Sequence, residues 1–500
     1  MAGDDMPWVV MAVALPFAGM LLALPLGRHA HRLAWAVLPS GLAVSVLLVV
    51  QVWRGGETVA YAIGGFAPPL GIALRADGLS ALLVLTTALV VCATGLFALA
   101  EFRPPSAERE ARASVLFWPL LFALWGALNA AFLGGDLFNL YVALELLTLA
   151  AVPLVSLEGK PETFAAALRY LLFALLGSVL YLVGVALLYG AYGTLDIALL
   201  AGAARSEPAA WAAGALMTAG LLAKTALFPL HLWLPPAHAG APAAASAVLS
   251  GLVVKASFYL LVRLWFDALP AVAHPEAATL LAALGTAAIL FGSVLALRQE
   301  RLKLAVAYST MAQLGYLFLM FPLTGGPTEA QPWSAGAWNG GILHAISHAF
   351  AKSAMFLAAG LILEAVGHDR IAGLGGIGRA LPMTVFAFGL AGLSLMGLPP
   401  SGGFIAKWLL VTTALASGQW WWAVPMLAGG LLAAGYVFRV LNPALAGADE
   451  PVALRRPVPR RRQAIPLVLA LLSVLLGLLP LGPYRLLWVG RPTAAEEGLG

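Results

Sequence analysis

Apolar residues fall in blocks of about twenty along this chain, separated by short polar or Gly/Pro-rich stretches. A helix of that length covers the hydrocarbon core of a bilayer. Fourteen blocks are read, at roughly 7–26, 33–53, 79–99, 114–133, 136–157, 166–190, 209–234, 241–263, 277–297, 303–322, 338–364, 381–416, 420–440 and 464–486. Lipid leaves no partner for an open backbone, so such blocks cross as helices. The expected fold is an all-α polytopic membrane protein of about 14 transmembrane helices. The third and fourth blocks are joined by a charged loop, Glu101 to Arg112, and a longer polar connection, Asn442 to Gln463, precedes the last. The stretch 54–76 is too rich in Gly and Pro for a helix and is expected to form an external hairpin.

Composition agrees: 61% of residues are hydrophobic and 10% charged, and mean hydropathy is +0.92, outside the soluble range. One bundle explains the 500 residues better than several soluble domains. Cys92 is the single cysteine, which excludes an intrachain disulfide or a cysteine metal cluster. The start, Met-Ala-Gly-Asp-Asp, lacks the basic region of a cleaved leader, so the first block is expected to be a retained span. The net charge of +5 is spread over short loops, a membrane orientation signal and not a nucleic-acid surface. Loops after odd-numbered spans hold 18 of the 28 Lys and Arg, and the opposite side holds six. That asymmetry predicts a cell-membrane protein with both termini on the non-cytoplasmic side.

The remaining four cations, Lys224, Lys255, Lys352 and Lys407, lie inside apolar blocks. A charge at mid-membrane costs at least ~2.5–3.5 kcal/mol on insertion scales, so it is rarely idle. One deep carboxylate, Glu145, accompanies them. So do His344 and His348, which share one helix face with Lys352 through the spacing i, i+4, i+8. Two spans are interrupted beside a lysine. In the seventh, Pro229 follows Lys224 and leaves the Thr225 carbonyl without its helical donor. In the twelfth, Pro399 and Pro400 precede Lys407 and free the carbonyls of Leu395 and Met396. Paired broken helices point to a transporter built on inverted repeats. The divisions expected are 1–113 (spans one to three), 114–270 (a first five-helix module), 271–441 (a second, inverted module) and 442–500 (loop and last helix).

The segment Asp136 to Glu145 (Asp-Leu-Phe-Asn-Leu-Tyr-Val-Ala-Leu-Glu) resembles the fifth helix of the antiporter-like subunits shared by respiratory complex I and Mrp cation/proton antiporters. Ala223 to Pro235, Ala307 to Tyr316, His348-Ala-Phe-Ala-Lys352 and Gly397-Leu-Pro-Pro400 through Lys407 resemble the same family in order, over about residues 70–440. Gly135 to Tyr141 looks most like the D subunit of Mrp antiporters. The largest complex I antiporter subunit carries a long lateral helix, whereas this chain ends within about 15 residues of its last block. The resemblance implies that Glu145 and Lys224 form a coupling ion pair, that Lys255 is the central relay residue, and that His348 and Lys407 carry the path to its end. Physically, Glu145 opposite Lys224 would hold the lysine protonated, and withdrawing the carboxylate would release its proton toward Lys255, His348 and Lys407.

Plainer readings stand beside these. Lys303 is open to being an interfacial anchor, although it too resembles a family lysine. His231 and His238 could cap carbonyls freed at the seventh-span break, and Asp136 reads as a helix cap. Trp420 to Trp422 reads as an interfacial belt. Glu145 with Lys224 could be a structural salt bridge. No cofactor or metal fingerprint is visible, so any redox label would come through the assembly, as in NADH:quinone oxidoreductase. The expected function is a proton-conducting subunit of a multisubunit antiporter exchanging protons for Na+ or another monovalent cation. Its partners would be other membrane subunits and lipid, with no nucleic acid. The alternatives are a proton-pumping subunit of complex I or a membrane-bound hydrogenase, and a non-transporting membrane scaffold.

Overall fold

The computed structural model describes residues 7–102, 108–324, 334–446, 454–479 and 482–490, without the side chains of 108–112 and 482–484. The helices are α1 Trp8–Leu26, α2 Ala34–Gly55, α3 Gly78–Glu101, α4 Glu108–Leu133, α5 Leu137–Val155, α6 Pro161–Tyr192, α7 Ile197–Ala203, α8 Pro208–Thr225, α9 Leu234–Gly240, α10 Ala243–Val248, α11 Val254–Arg263, α12 Pro275–Arg298, α13 Leu302–Phe318, α14 Met320–Leu323, α15 Ser334–Val366, α16 Ile377–Ala380, α17 Pro382–Met396, α18 Gly402–Ala416, α19 Ala423–Leu445 and α20 Arg460–Leu475. Strands β1 Val59–Ala62 and β2 Ala73–Ala76 pair antiparallel, Val59 opposite Ala76, which makes the expected hairpin.

Among the described residues, eleven helices are long and apolar enough to cross a membrane, and α17 and α18 are shorter apolar helices. Fourteen crossings are reached only by also counting α8 with α9, α17 with α18, and α20. The block at 464–486 is corrected: α20 stops at Leu475, and 482–488 is a separate tight turn. Pro480 and Pro483 in that sequence cannot continue a helix. Glu101, expected in a loop, is the last residue of α3, and the following helix begins by Glu108.

Helix starts follow local chemistry. Asp77 caps α3 by accepting the Ser80 N–H at 2.9 Å, and Asp136 caps α5 by accepting the Phe138 and Asn139 N–H groups, as its position suggested. Burial alone would push the Asp77 carboxyl up. The Arg263 guanidinium beside it and the Ser80 bonds outweigh that and hold it below the usual carboxylate range. A depressed value means the ionised cap is in place at neutral pH, and its stabilisation is lost only as pH falls through that low value.

The outer surface is apolar along whole faces. Leu168, Leu172, Leu176, Val179 and Val183 are all exposed on one side of α6, as lipid contact requires. The apolar window of the helix Ala243–Ala268 is, by contrast, wholly buried. Beside it, α15 packs on α3, α13, α17, α18 and α20. Close approach replaces the hydrophobic effect as the binding force inside lipid. At Gly177 of α6 a Cβ would lie 2.6 Å from the Gly220 carbonyl oxygen of α8, so only glycine lets these backbones meet. This contact sets Lys224 of α8 against α5 and α6.

Candidate functional site

Lys224 is the second-last residue of α8, at a point where the helix ends abruptly. Ala226 takes a left-handed conformation at φ +58°, and Trp233 Nε1–H donates to the Ala223 carbonyl at 2.9 Å. The helix thus stops at Thr225, earlier than Pro229 alone dictates. Trp233 is held by stacking on Tyr170 at 4.2 Å. His231 and His238 do not act as carbonyl caps through Nδ1, which is unpartnered in both; their rings stack on Phe228 and Phe356. The indole caps the helix end at the Ala223 carbonyl, which the Ala226 N–H also reaches. Trp233→Phe should keep the stack and lose the bond, lowering stability of the purified protein by roughly 1 kcal/mol. A thermal-unfolding series in detergent would read this as a drop of a few degrees.

Lys224 Nζ donates to Glu145 Oε1 at 3.1 Å and to Thr148 Oγ1 at 3.0 Å. The Ser178 hydroxyl donates to the same carboxylate oxygen. Lys224 is 7% exposed and Glu145 22%, so the lysine is sealed and the carboxylate retains an opening. The pair, at corresponding depths on α5 and α8, is the one anticipated from sequence. A small cavity beside it is lined by Lys224, Thr148 and Tyr170 on one side and by Val253 and Ser257 on the other. Val253 and Ser257 on its far wall lie two residues either side of Lys255, which does not itself line the space.

Lys255 sits just after a π-helical turn, Leu249–Val253, whose wider coil leaves carbonyls accessible. Its Nζ donates to the Ser250 carbonyl at 2.5 Å. The Ser250 hydroxyl pairs with Thr310 Oγ1 at 2.9 Å, and Thr310 donates to the Val306 carbonyl. Lys352 Nζ donates to that same carbonyl at 2.9 Å and to the Ser309 hydroxyl. Two buried lysines on different helices thus border one polar cluster, Lys255 at the Ser250 carbonyl and Lys352 at the Val306 carbonyl that Thr310 also reaches.

His344 and His348 stack at 5.9 Å on α15. Among the described residues, neither ring nitrogen of buried His348 has a hydrogen-bond partner. It lies within electrostatic range of Lys255, Lys352 and Lys407. His344 Nε2 meets the Gln313 carbonyl at 3.1 Å. Lys407 Nζ donates to the Leu395 carbonyl at 2.6 Å, one of the two groups freed by Pro399 and Pro400, and stands 4.1 Å over the Tyr316 ring. Gln313 also reaches the Leu395 carbonyl, at 3.1 Å. So Lys224 faces a carboxylate, whereas Lys407 is held by a carbonyl and an aromatic face.

The interfacial reading of Lys303 is corrected. It is 4% exposed and donates to the Ala241 carbonyl. Glu101, not anticipated as a site residue, accepts the N–H groups of Ala243 and Ala244 near it. Ser178, Thr148, Ser250, Thr310 and Gln313 were likewise missed. Hydroxyls at helical spacing in apolar runs carry no distinguishing pattern, so only the packing of helices reveals them. Chemically, the arrangement is a buried row of proton acceptors and donors on separate helices, bridged by hydroxyls, carbonyls and small spaces.

Comparison with known proteins bears on the fold that carries these residues. The pattern of the NADH:quinone oxidoreductase/Mrp antiporter transmembrane family covers residues 134–433. The chain is 37% identical to the N subunit of NADH-quinone oxidoreductase from Desulforudis audaxviator, over 89% of each chain. It is 29% identical to the D subunit of the Na(+)/H(+) antiporter from Alkalihalophilus pseudofirmus, over 94% of itself and 93% of that relative. In structure it resembles a chain of the Mrp complex from Dietzia sp. DQ12-45-1b, with TM-score 0.86, 25% identity and coverage of 99% of this chain and 100% of that one. The pattern spans more than half of the chain and includes the ion pair, both helix breaks and the lysine row. The chain therefore belongs to the NADH:quinone oxidoreductase/Mrp antiporter transmembrane family.

Proposed function

We propose that this chain is the proton-conducting subunit of a multisubunit cell-membrane antiporter, exchanging protons for Na+ or another monovalent cation, with both termini on the non-cytoplasmic side. The observation that carries the reading is the Lys224–Glu145 pair at a helix break, at the head of a row of buried lysines. In the resting arrangement the Glu145 carboxylate favours the charged form of Lys224. When the carboxylate swings away, the ammonium is left in an apolar wall and releases its proton across the adjoining cavity. Val253 and Ser257 on the far wall bring it to the helix that carries Lys255. From Lys255 the proton passes through bridging water to His348 or to Lys352 on the same helix, then by His344 to Lys407. Each hop needs ~2.6–3.2 Å or one bridging water.

Like charges in a low-dielectric interior repel, so charging one lysine discourages charging the next. That repulsion is what lets the Glu145–Lys224 pair bias occupancy farther along the row. The broken helices at Pro229 and at Pro399 and Pro400 supply access at either end, in two five-helix modules, 114–270 and 271–441, of opposite orientation. His231 and Lys303 lie beside the first break and beside Glu101, where entering protons would meet them.

A second reading, a proton-pumping subunit of an NADH:quinone oxidoreductase assembly, is favoured by the 37% identity to the N subunit of such an enzyme. One assay separates the two. The complete complex is purified, reconstituted with a pH dye inside the vesicles and given a Na+ pulse with no electron donor. Antiport predicts an immediate pH change that scales with the pulse. A pH change that appears only with an electron donor and quinone would overturn it in favour of the second reading.

A further inference from the structure

Lys255, Tyr259 and Arg263 follow at i, i+4 and i+8 and form one stripe on α11. The first belongs to the row above. The other two lead away from it, toward the end of the bundle where α3 begins. Between Lys255 and Tyr259 lies a small cavity whose other walls are Leu79, Leu83, Phe258, Val262, Ile342 and Ala345. Beyond it, the Tyr259 hydroxyl donates to the Phe132 carbonyl at 2.6 Å and accepts Arg263 Nε–H at 2.8 Å. Arg263 is then clamped by two carboxylates, Asp77 Oδ2 at 2.6 Å and Asp267 Oδ2 at 2.6 Å. Ser80 ties the first of these down by donating to Asp77 Oδ1 at 2.6 Å. The segment 486–490 lies over the cluster: Gly78 N–H donates to the Val489 carbonyl, and a Cβ on Gly490 would sit 2.8 Å from Asp77 Cβ.

We infer that this is a gated side branch of the path, joining the central Lys255 to the aqueous face at which α3 begins, with the Asp77–Arg263–Asp267 clamp as its gate. The inference rests on the relay reading of Lys255. An apolar chamber lined by a lysine and by the tyrosine that bonds the arginine is a barrier while dry and a wire when wet. A merely structural ion pair would need neither the chamber nor the tyrosine that links it to the arginine. Arg263, donating to Tyr259, Asp77 and Asp267 together, fixes the tyrosine hydroxyl on Phe132 and keeps the chamber closed at that end. Releasing one carboxylate frees the guanidinium to turn toward water and the hydroxyl to bridge Lys255 outward. Protons held at the midpoint of the row would then leave across the membrane and not only along it.

The test uses the complete complex in sealed proteoliposomes, with passive proton leak read by a pH dye after a small acid jump and coupled exchange read after a Na+ pulse. Asp77→Asn removes the charge yet leaves a side chain that still caps α3. Val262→Thr keeps the shape of the chamber and adds a hydroxyl that favours water. Each variant should raise leak on the order of threefold to tenfold, the shift expected when a minor open state gains one charge or hydration step. Lys255→Ala in either background should return leak to the wild-type level. Two tight variants, or leak that persists without Lys255, would overturn the gate. If Lys255→Ala alone leaves coupled exchange intact, the relay reading itself fails and the branch falls with it. Loss of exchange in Lys255→Ala with no leak in the other two would overturn the gate only.

Discussion

In the assembled complex, Lys224→Gln abolishes cation-linked proton movement, and so does Glu145→Gln. Each single change leaves one charge unmatched, the buried ammonium or the part-exposed carboxylate. Removing one member of a buried pair costs ~3–5 kcal/mol in general, so both variants are also expected to be less stable than wild type. The double change Lys224→Gln/Glu145→Gln separates the two effects. With both charges gone, Thr148 and Ser178 can still bond the paired amides, and stability should return most of the way. Transport should not. A structural lock makes the opposite forecast, because restoring stability would restore exchange. Subunit stoichiometry by gel filtration, thermal unfolding and the Na+-pulse assay on the same three preparations decide between them. Exchange in the double variant near the wild-type rate would refute the coupling role.

Lys255→Ala is expected to stop coupled exchange with the ion pair and both breaks untouched. The Lys255 ammonium has a carbonyl of the π-turn as its partner and no carboxylate. Among the described residues, no direct hydrogen bond joins it to Lys224 or to His348, so in the proposed relay a bridging water would carry the proton on either side of it. Lys255→His should keep part of the activity, on the order of one-tenth of wild type, because an imidazole still takes up and releases a proton but reaches less far. Equal loss in the alanine and histidine variants would argue that the position serves packing. Unchanged exchange in Lys255→Ala would remove the midpoint from the path.

Much of this could be read from the chain because the chemistry of a membrane interior is restrictive. Any lysine in an apolar block demands a reason, so Lys224, Lys255, Lys352 and Lys407 stood out, and Glu145 was the one deep carboxylate available. Proline arithmetic found the Leu395 carbonyl, which does receive Lys407. The same arithmetic placed the first break at the Thr225 carbonyl, whereas the helix ends through a left-handed Ala226 and an indole cap. Nothing in alanine's chemistry announces that conformation, and the indole that caps the helix end is held by Tyr170, 63 residues away in sequence. The π-turn before Lys255 was invisible for a similar reason, since Leu-Ser-Gly-Leu-Val is compatible with ordinary helix. Lys303 stood open between an interfacial anchor and a relay lysine because its block begins beside it; the neighbouring Glu101 end of α3 and the Ala241 carbonyl enclose it. The bounds of the blocks shifted where prolines and glycines cut helices short, at α20 above all.

The most direct test of the relay compares wild type with Glu145→Gln, Lys224→Gln, Lys255→Ala and Lys407→Ala in one set of proteoliposomes containing the complete, assembled complex. The quantity measured is the initial rate of internal pH change after a Na+ pulse. The relay predicts that all four variants fall below about one-tenth of the wild-type rate, a barrier increase of at least ~1.4 kcal/mol at each step. Any one of them exchanging protons at the wild-type rate would contradict a continuous path through these residues.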